Sequence, residues 1–239
     1  MRFSCFLWTN HVKCGKIFKN IKTGDNMTRI LLIRHGESEA NRNNIFAGHI
    51  DPDLQDKGVE QAKVTAKFIC DKYKVDKIYS SDLKRAYNTA LELSKLTGLE
   101  ITKDEGMREI KAGEWEGMLF TDLIKFFPDD FGKWMTDIGE AGCTGGETIR
   151  EMTSRVCSTI EKIALENDGK TVAVASHATP IRAILTMVRH GNVEKMNDVD
   201  WVSNASVTEL SYENGKFEVV AEGQDEHLAA LVTKLPTNI

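Results

Sequence analysis

Ile30-Leu31-Leu32-Ile33 is a run of large aliphatic residues without polar alternation, and it ends abruptly in Arg34-His35-Gly36. Such a run suits a strand covered on both faces of a parallel sheet. The pattern predicts a first strand over 29–34. A polar loop rich in Asn and Gly follows over 35–54, and loops of that length are usually functional. Between 55 and 73 the residues Val59, Ala62, Ala66, Ile69 and Tyr73 recur every three or four positions, which is one helical stripe. A second strand is expected over 75–80. The helix after it is capped by Ser81 or Asp82 and buries Leu83, Ala86, Tyr87, Ala90 and Leu91. Gly98 ends that helix, and 99–102 gives a third strand.

From 107 to 144 the periodicity loosens into short helical pieces rich in aromatic residues. This stretch reads as an insertion over the strand ends, with a helical lid at about 115–145. A long helix then carries Ile149, Met152, Val156, Ile160 and Ile163 on one face. A further buried strand covers 171–176. Thr179-Pro180 reads as an N-cap with proline at the first helical position, and Gly191 fits the end of that helix. Residues 206–222 read as a hairpin turning at Glu213-Asn214-Gly215. Strands alternating with helices give an α/β fold, with three α/β/α layers around a mostly parallel central sheet.

The 239 residues suffice for one sizeable α/β domain. A net charge of −5 argues against nucleic acid as a partner, though a local cationic pocket can still take a small anion. No run approaches the ~18 apolar residues that span a bilayer. Cys5, Cys14, Cys70, Cys143 and Cys157 are scattered, an odd set that reads as reduced thiols in a cytoplasmic protein. Cys70 and Cys157 fall on apolar helix faces and are expected to be buried. Residues 1–26 carry five basic residues and one acid without helical or strand periodicity. They read as an extension ahead of a domain over 27–239, with a membrane-surface anchor as the alternative.

The polar triplet falls at the carboxyl end of the first strand, where open α/β sheets place their ligands. His35 is a candidate nucleophile there. Arg34 brings a forked permanent charge suited to phosphate, and Gly36 would let the backbone approach a ligand. Val172-Ala173-Val174-Ala175-Ser176-His177-Ala178 repeats this logic. Two parallel strands ending in histidine put both rings on one edge of the sheet. The candidate residues lack metal-ligand spacing, and two arginines would repel a cation.

Arg34-His35-Gly36-Glu37-Ser38-Glu39-Ala40-Asn41 resembles the signature of the histidine phosphatase superfamily in its phosphoglycerate mutase-like branch. Tyr79 to Ala86 resembles the second signature of that family, with Arg85 as its arginine. Arg85 lies in the first turn of a helix, off the apolar stripe, so it can face the edge that carries His35. Met107 to Gly117 resembles the third signature, with Glu109 as its acid. Glu114 and Glu116 are rivals by residue type and are expected to be exposed.

The resemblance implies a phosphoglycerate mutase-like fold and a phosphohistidine formed on His35. Arg34, Arg85 and His177 then hold the phosphoryl oxygens, with the Ala178 N–H as a further donor, and Glu109 protonates the leaving group. Asn41 is expected to bind the phosphoryl group or orient a neighbour. Phe46, Ala47 and Gly48 would wall the substrate pocket. Asn41 and Gly48 also suit plain turn positions. His11, His49, His190 and His227 lack motif context and are expected at the surface or in packing.

The resemblance requires no metal or organic cofactor and implies one partner, a phosphorylated small molecule. No Arg-Arg pair follows the acid, and Gly-Gly-Glu-Thr comes later, a form similar to the phosphatase members. A cofactor-dependent phosphoglycerate mutase is the alternative, and a non-catalytic phospholigand-binding protein is the second. Lid aromatics Phe120, Phe126, Phe127, Phe131 and Trp134 are candidates to face the substrate. Oligomeric state cannot be read from the chain.

Overall fold

The computed structural model describes residues 26–233. Apart from Asn26, the expected N-terminal extension lies outside the described residues. The strands are β1 (Thr28–Arg34), β2 (Lys77–Ser80), β3 (Ile101–Lys103), β4 (Thr171–Ser176), β5 (Val207–Glu213) and β6 (Lys216–Gln224). The helices are α1 (Glu39–Arg42), α2 (Asp56–Lys72), α3 (Lys84–Thr97), α4 (Phe120–Phe126), α5 (Pro128–Thr136), α6 (Ile149–Glu166) and α7 (Ala178–His190). They build one six-stranded sheet in the order β3-β2-β4-β1-β5-β6. The first four strands in that order are mutually parallel, while β5 runs antiparallel to β1 and β6 antiparallel to β5.

Strand geometry explains the three layers. Successive side chains of a strand point to opposite faces. Leu31 and Ile33 of β1 therefore pack with Ala66 and Ile69 of α2 and Ala86, Ala90 and Leu93 of α3. Ile30 and Leu32 pack on the other side with Val156, Ile160 and Ile163 of α6 and Ile181 and Ile184 of α7. Each of these four β1 residues is almost fully buried, worth about 1.5–3 kcal/mol apiece. All five residues of the expected α6 stripe are buried, and Thr148 with Glu151 forms a capping box at its start.

Several local readings are corrected. Neither Ser81 nor Asp82 caps α3. Its N-cap is Leu83, without a side-chain hydrogen bond, and the Lys84 N–H donates instead to Asp51 Oδ1 at 2.7 Å. Helix α7 begins at Ala178 with His177 as N-cap, so Thr179-Pro180 already lies inside its first turn. Cys70 is exposed rather than buried, and Cys157 is half-buried. The hairpin turns where expected: Asn214 and Gly215 both have positive φ, at 52° and 77°, as a two-residue turn of this hand requires.

The stretch expected to form a lid, about 115–145, folds as α4 and α5 with the coil around them. Trp115, fully buried, anchors it: Phe131 and Trp134 meet its ring edge-on at 5.5 and 5.8 Å. Among the described residues, no helix is long and apolar enough to cross a membrane.

Candidate active site

The register of β1 and β4 pairs Arg34 with Ser176. The next residue after each strand is a histidine, so His35 and His177 emerge side by side. Their ring centroids lie 5.2 Å apart with planes at 61°. The His35 N–H donates to the Ser176 carbonyl at 3.0 Å and fixes the nucleophile candidate to the neighbouring strand. On the other side, the chain approaching antiparallel β5 brings Asn204 to the same edge. Asn204 Nδ2 donates to the His35 carbonyl at 3.0 Å and to Asn41 Oδ1 at 3.3 Å.

The His35 ring is oriented by a hydrogen bond between Nδ1 and the Gly36 carbonyl at 2.7 Å. A carbonyl only accepts, so Nδ1 carries the proton. Burial pushes the pKa of His35 well below the usual imidazole range, and the charges of Arg85 and Arg34 push the same way. A neutral ring protonated on Nδ1 keeps its lone pair on Nε2, which is what a nucleophile needs. His177 is fully buried and is likewise held neutral, by burial first and then by Arg85 and His35. Its Nε2 pairs with Ser81 Oγ at 2.9 Å, while its Nδ1 has no protein partner.

Two guanidinium groups face this pair. Arg34 Nη1 donates to the Val202 carbonyl at 2.5 Å. Burial lowers its pKa to about 10, against the pull of Glu109, which still leaves it charged near neutral pH. Arg85 is 1% exposed and donates to the Gly48 and Ile50 carbonyls at 2.9 and 3.0 Å. Both arginines, His35 and Glu109 line one cavity of about 180 Å³. The Glu109 carboxylate is held by the Ile110 N–H on Oε1 at 2.8 Å and the Thr179 N–H on Oε2 at 3.4 Å. Ala178, the first residue of α7, also lines the cavity, so the positive end of that helix faces it. Three cationic or N–H-rich elements, Arg34, Arg85 and the start of α7, surround one small hollow and suit a tetrahedral anion.

His177 lies against His35 but is not among the residues that line the cavity, and Glu116 is half-buried rather than exposed. Asn41, Phe46, Ala47 and Gly48 all line the cavity. Asn41 Oδ1 accepts from Ser38 N, Ser38 Oγ and Asn204 Nδ2, which leaves its amide N–H groups for another acceptor. Gly48 has φ +50°, and a Cβ there would collide with Ala112 and Glu116, so the residue is both a turn and a close contact. Gly36 does not admit a ligand. A side chain there would collide with the backbone of Gly58, so this glycine lets α2 cross the signature loop.

The rival acids separate by position: Glu114 is exposed, and Glu116 Oε1 accepts from the His49 and Ala112 N–H groups at 3.0 and 3.1 Å. Of the lid aromatics, Phe120 and Trp134 line the cavity. Phe131 packs on Trp115, and Phe126 is 67% exposed.

Sequence reasoning missed Ser81, Asn204, Trp201 and His49. Ser81, expected as the cap of α3, bonds to His177 Nε2 instead. Asn204 and Trp201 line the cavity. A topological signal existed for Asn204: the residues leading into an antiparallel neighbour of β1 must lie at the carboxyl end of β1.

The family model described as histidine phosphatase superfamily, branch 1, matches residues 30–225. Phosphoserine phosphatase 1 of Hydrogenobacter thermophilus is 37% identical over 158 residues, spanning 66% of this chain and 74% of that protein. Bacillus stearothermophilus YhfR superposes with a TM-score of 0.80 at 25% identity, covering 84% of this chain and 99% of that one. A phosphoserine phosphatase from Entamoeba histolytica in complex with 3-phosphoglyceric acid superposes with a TM-score of 0.73 at 27% identity, covering 84% and 99%.

Proposed function

The chain belongs to branch 1 of the histidine phosphatase superfamily, and from that premise we propose that it is a phosphatase of small phosphorylated metabolites working through a phosphohistidine on His35. The observation that carries the reading is the His35 ring itself: neutral, protonated on Nδ1 against the Gly36 carbonyl, and flanked by two buried guanidinium groups.

The reading assigns two displacements. First, His35 Nε2 forms a bond to phosphorus as the phosphorus–oxygen bond to the leaving group breaks. Glu109 gives that oxygen its proton. Then water attacks phosphorus, the phosphorus–nitrogen bond breaks, and the Glu109 carboxylate takes a proton from the water. Arg34, Arg85 and His177 hold the three non-bridging oxygens, and the amide of Asn41 and the N–H of Ala178 supply further donors. Charge spread over those oxygens in the transition state is met by fixed groups, which is where most of the rate arises.

Hydrolysis is favoured over mutase activity by the far wall of the cavity. Among the described residues lining it, the cations are Arg34 and Arg85, while Phe46, Phe120 and Trp134 supply apolar surface. A mutase that clamps a second anionic group needs more positive charge there. Dispersed cysteines, with no disulfide among the described residues, support a cytoplasmic setting.

The test is hydrolysis of p-nitrophenyl phosphate by the wild-type protein and by His35→Ala. Turnover by the wild type and near-complete loss in the variant are expected. Equal turnover by both would defeat the reading. Interconversion of 2- and 3-phosphoglycerate at a rate above hydrolysis would move the assignment to a mutase.

A further inference from the structure

Glu109 sits on a stretch of coil between two single-turn helical pieces, Glu105–Met107 and Gly113–Trp115. No strand or helix fixes the position of the residue read as the general acid. Side chains do so instead. Its main-chain carbonyl accepts two hydrogen bonds, from His49 Nε2–H at 2.8 Å and from Arg155 Nη2–H at 3.1 Å. Arg155 is a general brace of this coil: it also donates to the carbonyls of Gly106 and Arg108 and pairs with Glu147. His49 makes a more selective connection.

His49 lies in the turn 48–50, between the two residues whose carbonyls accept from Arg85. Arg85 donates to Gly48 at 2.9 Å and to Ile50 at 3.0 Å. The His49 backbone N–H donates to Glu116 Oε1, which also accepts from Ala112 N–H farther along the acid-bearing coil. Gly48 is pressed against that coil so closely that no Cβ fits between them. One short turn thus grips the phosphoryl-binding guanidinium with its backbone and the acid-bearing coil with a side chain.

We propose that His49 is a positioning residue that holds Glu109 in register with Arg85. The inference rests on the phosphatase reading and deepens it. A general acid must lie within about 2.6–3.2 Å of the oxygen it protonates. A misplacement of about 1 Å can cost on the order of 10²-fold in rate. The phosphoryl group is located by Arg85, so an acid tied to the same turn keeps a constant distance from the scissile oxygen.

A positioning role leaves a kinetic signature that packing does not. An alkyl leaving group must be protonated as it departs, whereas p-nitrophenolate departs readily without a proton. The experiment compares kcat/KM for ethyl phosphate and p-nitrophenyl phosphate in the wild type, Glu109→Gln, His49→Ala, His49→Phe and His49→Gln. Glu109→Gln sets the scale, with a loss on ethyl phosphate at least tenfold greater than on p-nitrophenyl phosphate, as the loss of a general acid predicts. His49→Ala is expected to show the same bias at about three- to tenfold, and His49→Gln, which keeps an N–H donor of similar reach, to recover most of it. Should His49→Ala not fold, His49→Phe keeps the ring without the donor and decides the same comparison against His49→Gln.

Equal losses on both esters, or no recovery by glutamine, would overturn the proposal and leave His49 a packing residue. A wild type that hydrolyses neither ester would overturn the phosphatase reading instead.

Discussion

Arg34, His35 and Ala178 reach the cavity from the ends of β1 and the start of α7, whereas Phe120 and Trp134 reach it from two short helices with no strand beneath them. The first group is held by the sheet. The flanking aliphatics of β1 and β4 are almost fully buried, and the backbone of His35 is bonded to β4 and to Ala205. The second group stands on helices of 7 and 9 residues, below the ~12–15 residues that an isolated helix needs. The aromatic cluster around Trp115, the buried Leu123 and a few hydrogen bonds to loops, such as Phe120 N–H to the Asn44 carbonyl at 3.0 Å, hold them, and beside that cluster Leu119, Ile124 and Phe126 remain exposed. The difference separates two tasks. On the proposed reading, the nucleophile and one phosphoryl-binding guanidinium stand where sheet hydrogen bonds hold the backbone, and the apolar contacts of the cavity stand on short helices held mainly by side-chain packing.

Substitutions can break that division, the most severe first. His35→Ala is expected to lower kcat/KM for p-nitrophenyl phosphate by about 10⁴-fold or more, as removal of a nucleophile does, with the thermal midpoint little changed. An equivalent loss from Trp134→Phe would abolish the distinction between the two regions. Trp115→Ala should cost about 3–5 kcal/mol of stability in urea unfolding. Hydrogen exchange in that variant should rise across 115–136 before it rises in β1 and β4.

Arg85→Lys is expected to lower kcat/KM by about 10²–10³-fold, because an ammonium cannot hold the Gly48 and Ile50 carbonyls and a phosphoryl oxygen together. Acid should affect the sheet edge in a predictable direction. Burial lowers the pKa of both His35 and His177 in the folded state, so below the unfolded value of about 6.5 the unfolded chain binds more protons. Their contribution to stability is complete above that pH and declines as the pH falls below it, at no more than ~1.4 kcal/mol per pH unit for each group. Urea midpoints between pH 7 and 5 should therefore fall less steeply in His35→Ala than in the wild type, and the acid limb of wild-type kcat/KM should lie below 6.5. Phe126→Ala, at an exposed position in the last turn of α4, should change stability by less than about 0.5 kcal/mol.

The same division governs what the chain disclosed in advance. β1, β4 and the α6 stripe were legible because buried strands and amphipathic helices impose periods of their own on the sequence. His35 and His177 followed directly, since each ends an apolar run. Arg85 and Glu109 needed the resemblance to a known family, because nothing in their local spacing distinguishes them from surface residues. Ser81 and His49 were not legible, and Asn204 was legible only through the topology of the strand it leads into. Each acts through a partner 60 or more positions away, and a long-range pair leaves no periodic trace. The start of α3 differs from the expected cap for the same reason: its first N–H is satisfied by Asp51, so the polar residues ahead of it are free for other partners. Which lid aromatics face the cavity depended on how two short helices pack, and their sequence offers the same apolar residues to both sides.

Covalent phosphorylation of His35 is the central claim, and quenching a single turnover tests it most directly. Wild-type protein mixed with a limiting amount of a ³²P-labelled small phosphomonoester should carry label that survives alkali and is lost in acid, as a phosphoramidate does. Mass spectrometry should then place it on His35. Label on any other residue, or steady release of phosphate from a protein that never becomes labelled, would contradict the account.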